Sequence, residues 1–296
     1  MKQLSKVALC LVLIVLMTSV VACTDLPSGP PDEPVTVTHT QVKLLEGTIW
    51  QTTAHKYVTD KNGPKIAIVG GIHGDEKAGW TAGLQLVDSF NEQTKGICGQ
   101  ILLIPQANIQ ADTLTQRYQG STTAKSGVGT VDGVKYSDLN RSFPNGRATN
   151  AQQATVTISE AIREAVEAFQ PDIVIDLHES LHSWTQESDF TTSVGDTLIF
   201  SNQALFMDDL LFYYNEVYLL EGETPFSSNP ASRAGSFNYY FSNLYKNKVV
   251  FTVETNRGNV SGTDTIPLTT RVRQQINILE ALFDIVWERV DTSEIL

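Results

Sequence analysis

Apolar and polar positions along the chain fall into short blocks that alternate in period. Lys65-Ile-Ala-Ile-Val-Gly70 is an apolar run bounded by Pro64 and Gly70-Gly71, which predicts a buried strand. Residues 76–91 follow with Trp80, Leu84 and Val87 at helical spacing. Gln100-Ile-Leu-Leu-Ile104 predicts the next strand, closed by Pro105. Residues 151–169 carry Ile158, Ile162, Val166 and Phe169 on one helical stripe, and Pro171 stops the pattern. Asp172–Leu177, Asp196–Phe200 and Lys248–Val253 predict three more strands. The last helix carries Val272, Ile276, Leu279, Phe283 and Val286. Strands alternating with helices predict an α/β fold: a mixed, mainly parallel sheet with helices on both faces. Residues 106–150 and 180–247 show weak periodicity and read as long loops around a site, which in such sheets lies beyond the carboxyl ends of the strands.

The first forty residues follow another logic. Lys2 and Lys6 precede an apolar run from Val7 to Met17, then Val20-Val21-Ala22-Cys23. A basic start, a short apolar core and small residues before the break predict a secretory signal over 1–22. The core is short for a membrane span, which needs about 20 apolar residues. Small residues before Cys23 resemble a bacterial lipobox, so Cys23 is a candidate for lipidation. The Pro-rich stretch after it makes 23–40 a tether and 41–296 the domain. The expected location is the cell envelope, with a lipid anchor as the one contact with membrane. Removal of 1–22 takes Cys10, and Cys98 then has no partner if Cys23 carries lipid, so Cys98 is assigned to packing.

The 296 residues carry 21 Lys and Arg against 33 Asp and Glu, a net charge of −12 without a basic run. Phosphate binding needs clustered cations, so nucleic acid is an improbable partner.

The chemistry-bearing residues collect at the predicted strand ends. His73 and Glu76 stand as His-x-x-Glu after the first strand, a spacing that brings an imidazole and a carboxylate onto one centre. His178 directly follows the strand ending at Leu177, and Glu254 follows the one ending at Val253. Two His, one carboxylate and an open position make a catalytic zinc site, with Glu254 as general base. Asp138 is spaced to hold the free ring nitrogen of a zinc-bound His. Asn140 and Arg141 can clamp a substrate carboxylate. His178-Glu-Ser-Leu-His182 also spells His-Glu-x-x-His, which in zincins needs a helix. Pro171 and the β-branched Ile173-Val-Ile175 argue for a strand there instead.

With these motifs in place, the sequence resembles the M14 metallocarboxypeptidase superfamily. The resemblance is carried by His73-x-x-Glu76, Asp138-Leu-Asn140-Arg141, Asp176-Leu-His178 and Thr252-Val-Glu254, across residues 64–290. Glu254-Thr-Asn-Arg, Pro267-Leu-Thr-Thr-Arg271-Val and Gly-Asp-Thr-Leu-Ile-Phe point to its succinylglutamate desuccinylase/aspartoacylase branch. The resemblance implies Zn²⁺ held by His73, Glu76 and His178, and Glu254 as base and then acid on an amide next to a carboxylate. It implies Arg117 as the oxyanion donor, with Asn140 and Arg141 on the carboxylate. Arg233 is a candidate for an acidic group of the substrate, and Tyr239 a candidate substrate contact. Small peptides, including wall-derived ones, or N-acyl amino acids are the expected substrates. A different class, an envelope protein that binds a ligand on the same fold without turning it over, predicts a lost ligand or base.

Overall fold

β7 (Ile173–Ser180) and β10 (Val249–Asn256) are the two strands on which the rest of the fold is hung. They pair in parallel at the centre of an eight-stranded sheet in the order β1-β2-β4-β3-β7-β10-β8-β9. β3 (Lys65–Gly70) and β4 (Gln100–Ile104) extend the parallel block. β1 (Val37–Leu44), β2 (Thr52–Thr59) and β8 (Thr197–Phe200) join antiparallel, and β9 (Ser227–Asn229) pairs in parallel with β8. The sheet is therefore mixed and mostly parallel. This computed structural model describes residues 35–92, 97–114, 117, 129–131, 134–136, 138–144, 153–184, 193–230 and 232–288.

Helices cover both faces. α1 (Lys77–Asn91), α4 (Ala204–Val217) and α6 (Leu268–Glu288) pack on one, in a core that takes Ile173, Ile175 and Phe251 from the strands. α3 (Gln153–Phe169) and α5 (Phe237–Leu244) pack on the other, over Val174 and Val250. Ile158, Ile162, Val166 and Phe169 of α3 are all buried, as their spacing predicts, at about 1.5–3 kcal/mol for each large side chain. A short helix α2 (Ile109–Leu114), a hairpin of β5 (Gly129–Val131) and β6 (Val134–Tyr136), and a second hairpin of β11 (Asn259–Val260) and β12 (Thr263–Asp264) complete the described elements. No helix among the described residues is long and apolar enough to cross a membrane.

Several expectations need correction. Residues 37–40, read as tether, belong to β1, held through Val37↔Thr59 to Thr40↔Lys56. β7 and β10 run three residues past their predicted ends because the ladder continues to Asn256↔Ser180, so His178 and Glu254 lie inside strands. Residues 180–247 are not mainly loop. Phe206, Met207, Leu210, Leu211 and Tyr214 make the buried face of α4, and Phe237 and Phe241 that of α5. On α1 only Val87 of the expected stripe of Trp80, Leu84 and Val87 lies on the buried face. Leu84 is 37% exposed, and Ala78, Gly79, Ala82, Gly83, Leu86, Val87 and Phe90 face the core. The small residues win because the helix sits close to the sheet. A Cβ added to Gly79 would lie 2.5 Å from the carbonyl oxygen of Leu177. Within 106–150 the described parts are α2, the β5–β6 hairpin and a tight turn at Leu139–Arg141; Cys23 and the signal segment lie outside the described residues.

Candidate metal centre and active site

Period-two alternation assembles the site. Along β7 the even positions Val174, Asp176 and His178 share one face, and along β10 so do Val250, Thr252 and Glu254. Both strands begin that face apolar, in the core under α3 and α5, and end it polar at their carboxyl edge. The register places Glu254 beside His178 and Thr252 beside Asp176.

The third strand of the site is β3. Gly71, at φ +71°, turns the chain after it, a conformation open to glycine, and the turn delivers His73 and then Glu76 at the start of α1. His73, His178 and Glu76 each offer one ligand atom, a ring nitrogen or a carboxylate oxygen, and these three lie within 4.8 Å of one another. His73 Nδ1 is 2.8 Å from Glu76 Oε1, and His178 Nδ1 is 2.6 Å from Glu76 Oε2. These three side chains are 3%, 1% and 3% exposed, for His73, His178 and Glu76 in turn.

Each imidazole is braced from behind. His73 Nε2 meets Asp138 Oδ1 at 2.9 Å, and His178 Nε2 meets Asp176 Oδ2 at 3.1 Å. Each carboxylate accepts the Nε2 proton and leaves Nδ1 as the nitrogen turned toward Glu76. Asp138 also caps the turn of Asn140, accepting its backbone N–H at 2.9 Å. The Asn140 carbonyl oxygen Oδ1 accepts from the Phe237 amide at 2.9 Å, which aims the Nδ2 of Asn140 the other way. That Nδ2 lies 3.4 Å from His178 Nε2. Both atoms carry hydrogen once Nε2 is committed to Asp176, so the amide remains open to the cavity.

The electrostatics follow from burial and neighbours. Burial alone would raise the Glu76 carboxyl, but His73, His178 and Arg117 hold it well below the ordinary range. Burial would lower His178, and Glu76 and Asp176 push it well above the ordinary value. Burial would raise Asp138, and its pairing with His73 brings it far down. Glu254 goes the other way: burial, with Glu76 and Asp176 nearby, pushes it up to about 8 against the pull of His178 and Arg117.

His73 and Glu76 open on one cavity of about 580 Å³, whereas His178 and Asp176 are not among its lining residues. Arg117, Asp138, Asn140, Arg141, Arg233 and Glu254 all line it. Tyr239 is not among its lining residues; it sits in α5, its amide given to Ser236 Oγ at 3.1 Å. Arg117 donates to Glu76 Oε1 at 2.5 Å, and Arg141 donates to the Asn140 carbonyl. Arg257, not singled out in the sequence, also lines the cavity and bridges Asp75 at 3.3 Å and Asp264 at 3.1 Å. Asp75 therefore serves as the cavity's internal counter-ion.

The zincin reading fails on this geometry. Residues 173–180 are strand, which sends Glu179 to the opposite face from His178. There Glu179 accepts the Ala78 amide at 2.9 Å and pairs with Arg271, so it closes the start of α1. His182 lies beyond the strand.

Such a sheet with such a site defines the class: a zinc carboxypeptidase-like fold. Carboxypeptidase A from Helicoverpa armigera aligns with a TM-score of 0.58 at 14% identity, over 87% of this chain and 69% of that one. The tripeptide-bound cell shape determinant Csd4 from Helicobacter pylori aligns at 0.57 and 16% identity, over 84% of this chain and 55% of that one. A succinylglutamate desuccinylase from Silicibacter sp. TM1040 aligns at 0.50 and 18% identity, over 86% and 69%. The chain spans about half the length of the Helicobacter protein. Residues 62–269 match the model of the succinylglutamate desuccinylase/aspartoacylase catalytic domain, and the chain belongs to that family. No curated protein matches the sequence.

Proposed function

We propose that the chain is a zinc-dependent amidohydrolase that cleaves an amide next to a carboxylate, at the end of a small peptide or in an N-acyl amino acid. The observation that carries this reading is the convergence of two imidazole Nδ1 atoms on one carboxylate, each ring braced by its own aspartate. Two neutral imidazoles and one carboxylate are the donor set zinc prefers, and they leave a position open. Bound zinc supplies Lewis-acid polarisation of the scissile carbonyl and acidifies a water.

The chain's own residues do the rest. Asn140 and Arg141 on the cavity wall hold the substrate carboxylate, with the planar guanidinium fork suited to it. Glu254 takes the proton of the attacking water and returns it to the leaving nitrogen. Its raised pKa suits the second task. Arg117 moves from Glu76 to the developing oxyanion. Arg233 meets a further acidic group of the substrate. Ahead of the domain, residues 1–22 serve export and Cys23 carries lipid, which the small residues before Cys23 and the Pro-rich stretch after it support.

Glu254→Gln tests the mechanism. The variant keeps about one zinc per chain by elemental analysis and loses turnover of a panel of peptides and N-acyl amino acids that the parent hydrolyses. Turnover that survives the change removes Glu254 from the chemistry. A ligand-binding protein without turnover would instead bind members of the panel and release them unchanged.

A further inference from the structure

We propose that Asp176 is a positioning residue for the metal site, tied through Thr252 and Asn238 to the floor of the substrate cavity. The inference rests on the zinc reading above. Asp176 is 1% exposed and carries two commitments, one on each oxygen. Its Oδ2 accepts the Nε2–H of His178 at 3.1 Å. Its Oδ1 accepts the Thr252 hydroxyl. Thr252 in turn accepts from Asn238 Nδ2 at 3.1 Å, and the same amide donates to the Ile199 carbonyl at 3.0 Å. Thr252, Asn238 and Ile199 line the cavity, while Asp176 does not.

The line Asn238–Thr252–Asp176–His178 therefore runs from the wall a substrate touches to the atom a metal takes. Its register is built in, because Thr252 and Asp176 are partners in the parallel ladder and Asp176 and His178 are two apart on one strand face. Three consequences follow. The Nε2–H of His178 is held by Asp176, which leaves Nδ1 as the nitrogen that would face a metal. The ring cannot rotate without breaking a buried charge-assisted bond. A group that shifts Asn238 or Thr252 shifts the imidazole. Such bracing groups behind a metal-bound imidazole contribute about 10–100-fold to metal affinity.

The test uses the whole chain, with zinc affinity by chelator competition and the visible spectrum of the Co²⁺-loaded protein. Asp176→Asn weakens zinc binding about 10–100-fold and alters the Co²⁺ spectrum, while the metal-free melting transition stays cooperative. Thr252→Val keeps the shape, removes the hydroxyl, and weakens zinc roughly 3–10-fold, the worth of one hydrogen bond. In the double variant the two losses do not add, since Thr252 acts through Asp176. If Asp176→Asn does not fold, Thr252→Val decides alone. Parent-like affinity and spectrum in whichever variant folds overturn the inference, and additive losses break the line between Thr252 and Asp176. A parent that binds no zinc overturns the inference together with the reading on which it stands. A parent that binds zinc beside indifferent variants overturns the inference alone.

Discussion

His178 and Asp112 show how one buried ionisable side chain differs from another. His178 is held charged in the metal-free site by Glu76 and Asp176, so metal must displace a proton from it. Zinc affinity therefore rises with pH between about 6 and 8, by up to tenfold per unit for one proton released. Chelator competition at constant ionic strength reads this, and a flat profile would mean that His178 is already neutral. The same raised pKa stabilises the metal-free fold below the ordinary histidine pKa, and that contribution is lost as pH climbs through the folded value. Among the described residues Asp112 has no counter-ion. Both its oxygens are buried without a hydrogen-bond partner, and burial raises its pKa well above the ordinary value. The folded form keeps the proton that the unfolded chain gives up above about pH 4, so Asp112 costs stability as pH rises from there. Asp112→Asn is expected to raise the melting temperature at pH 7 and to lose that gain toward pH 4. An equal shift at both values would point to packing instead. Of the site residues, His73, Glu76, His178 and Glu254 were legible from short-range spacing at strand ends. Asp176 was legible too, because Asp-x-His on a strand puts both side chains on one face. Arg257 was not: its role depends on Asp75, 182 positions away.

At the scale of elements, α1 carries the most specific demand. Gly79 lies against Leu177, directly before His178, and Gly83 lies against Pro105. Gly79→Ala gains helix propensity, about 1 kcal/mol, but the new methyl would meet main-chain oxygen that cannot move aside. A net loss of about 1–3 kcal/mol in urea unfolding is expected. A neutral or stabilising result would show that α1 has room to retreat. This close approach explains why the sequence reading placed the buried face of α1 only in part: it followed Trp80 and Leu84, while beside Leu86, Val87 and Phe90 the close contact is made by Ala and Gly. The central strands were legible because burial on both faces leaves unbroken apolar runs. β1 and β2 were not, since their outward positions are mostly Thr, Gln and Lys and their stability comes from pairing with each other and with β4. α4 has its apolar 206, 210 and 214 at helical spacing and could have been read.

For the whole molecule, the acidic balance and the cavity stand in contrast. A chain of net charge −12 keeps four arginines, at 117, 141, 233 and 257, around one opening. Five carboxylates, at 75, 76, 138, 179 and 254, line the same opening, so the arginines offer local contacts and not a net cationic field. On the proposed reading the KM of an anionic substrate rises with added salt while that of a neutral amide does not. On the zinc reading, the metal would also act on the whole fold. Ligand bound by the folded state alone stabilises by RT ln(1 + [L]/Kd), about 2.7 kcal/mol at a hundredfold excess over Kd. Zinc should therefore raise the melting temperature by several degrees and a chelator should reverse the rise, as scanning calorimetry would show. Unchanged melting would mean that no metal site spans the fold.

The register of β3 against β7 has one more consequence, in time rather than in space. These neighbouring strands stand about a hundred residues apart in the chain, and the ligands Glu76 and His178 belong one to each side of that gap. A loop of that length closes late, after local helices and hairpins have formed. A metal ion arriving early finds a histidine and a glutamate on one segment and nothing opposite them. On the zinc reading, the ion would thus be the last component to enter, a latch set after the door has shut, reporting on completed folding instead of directing it.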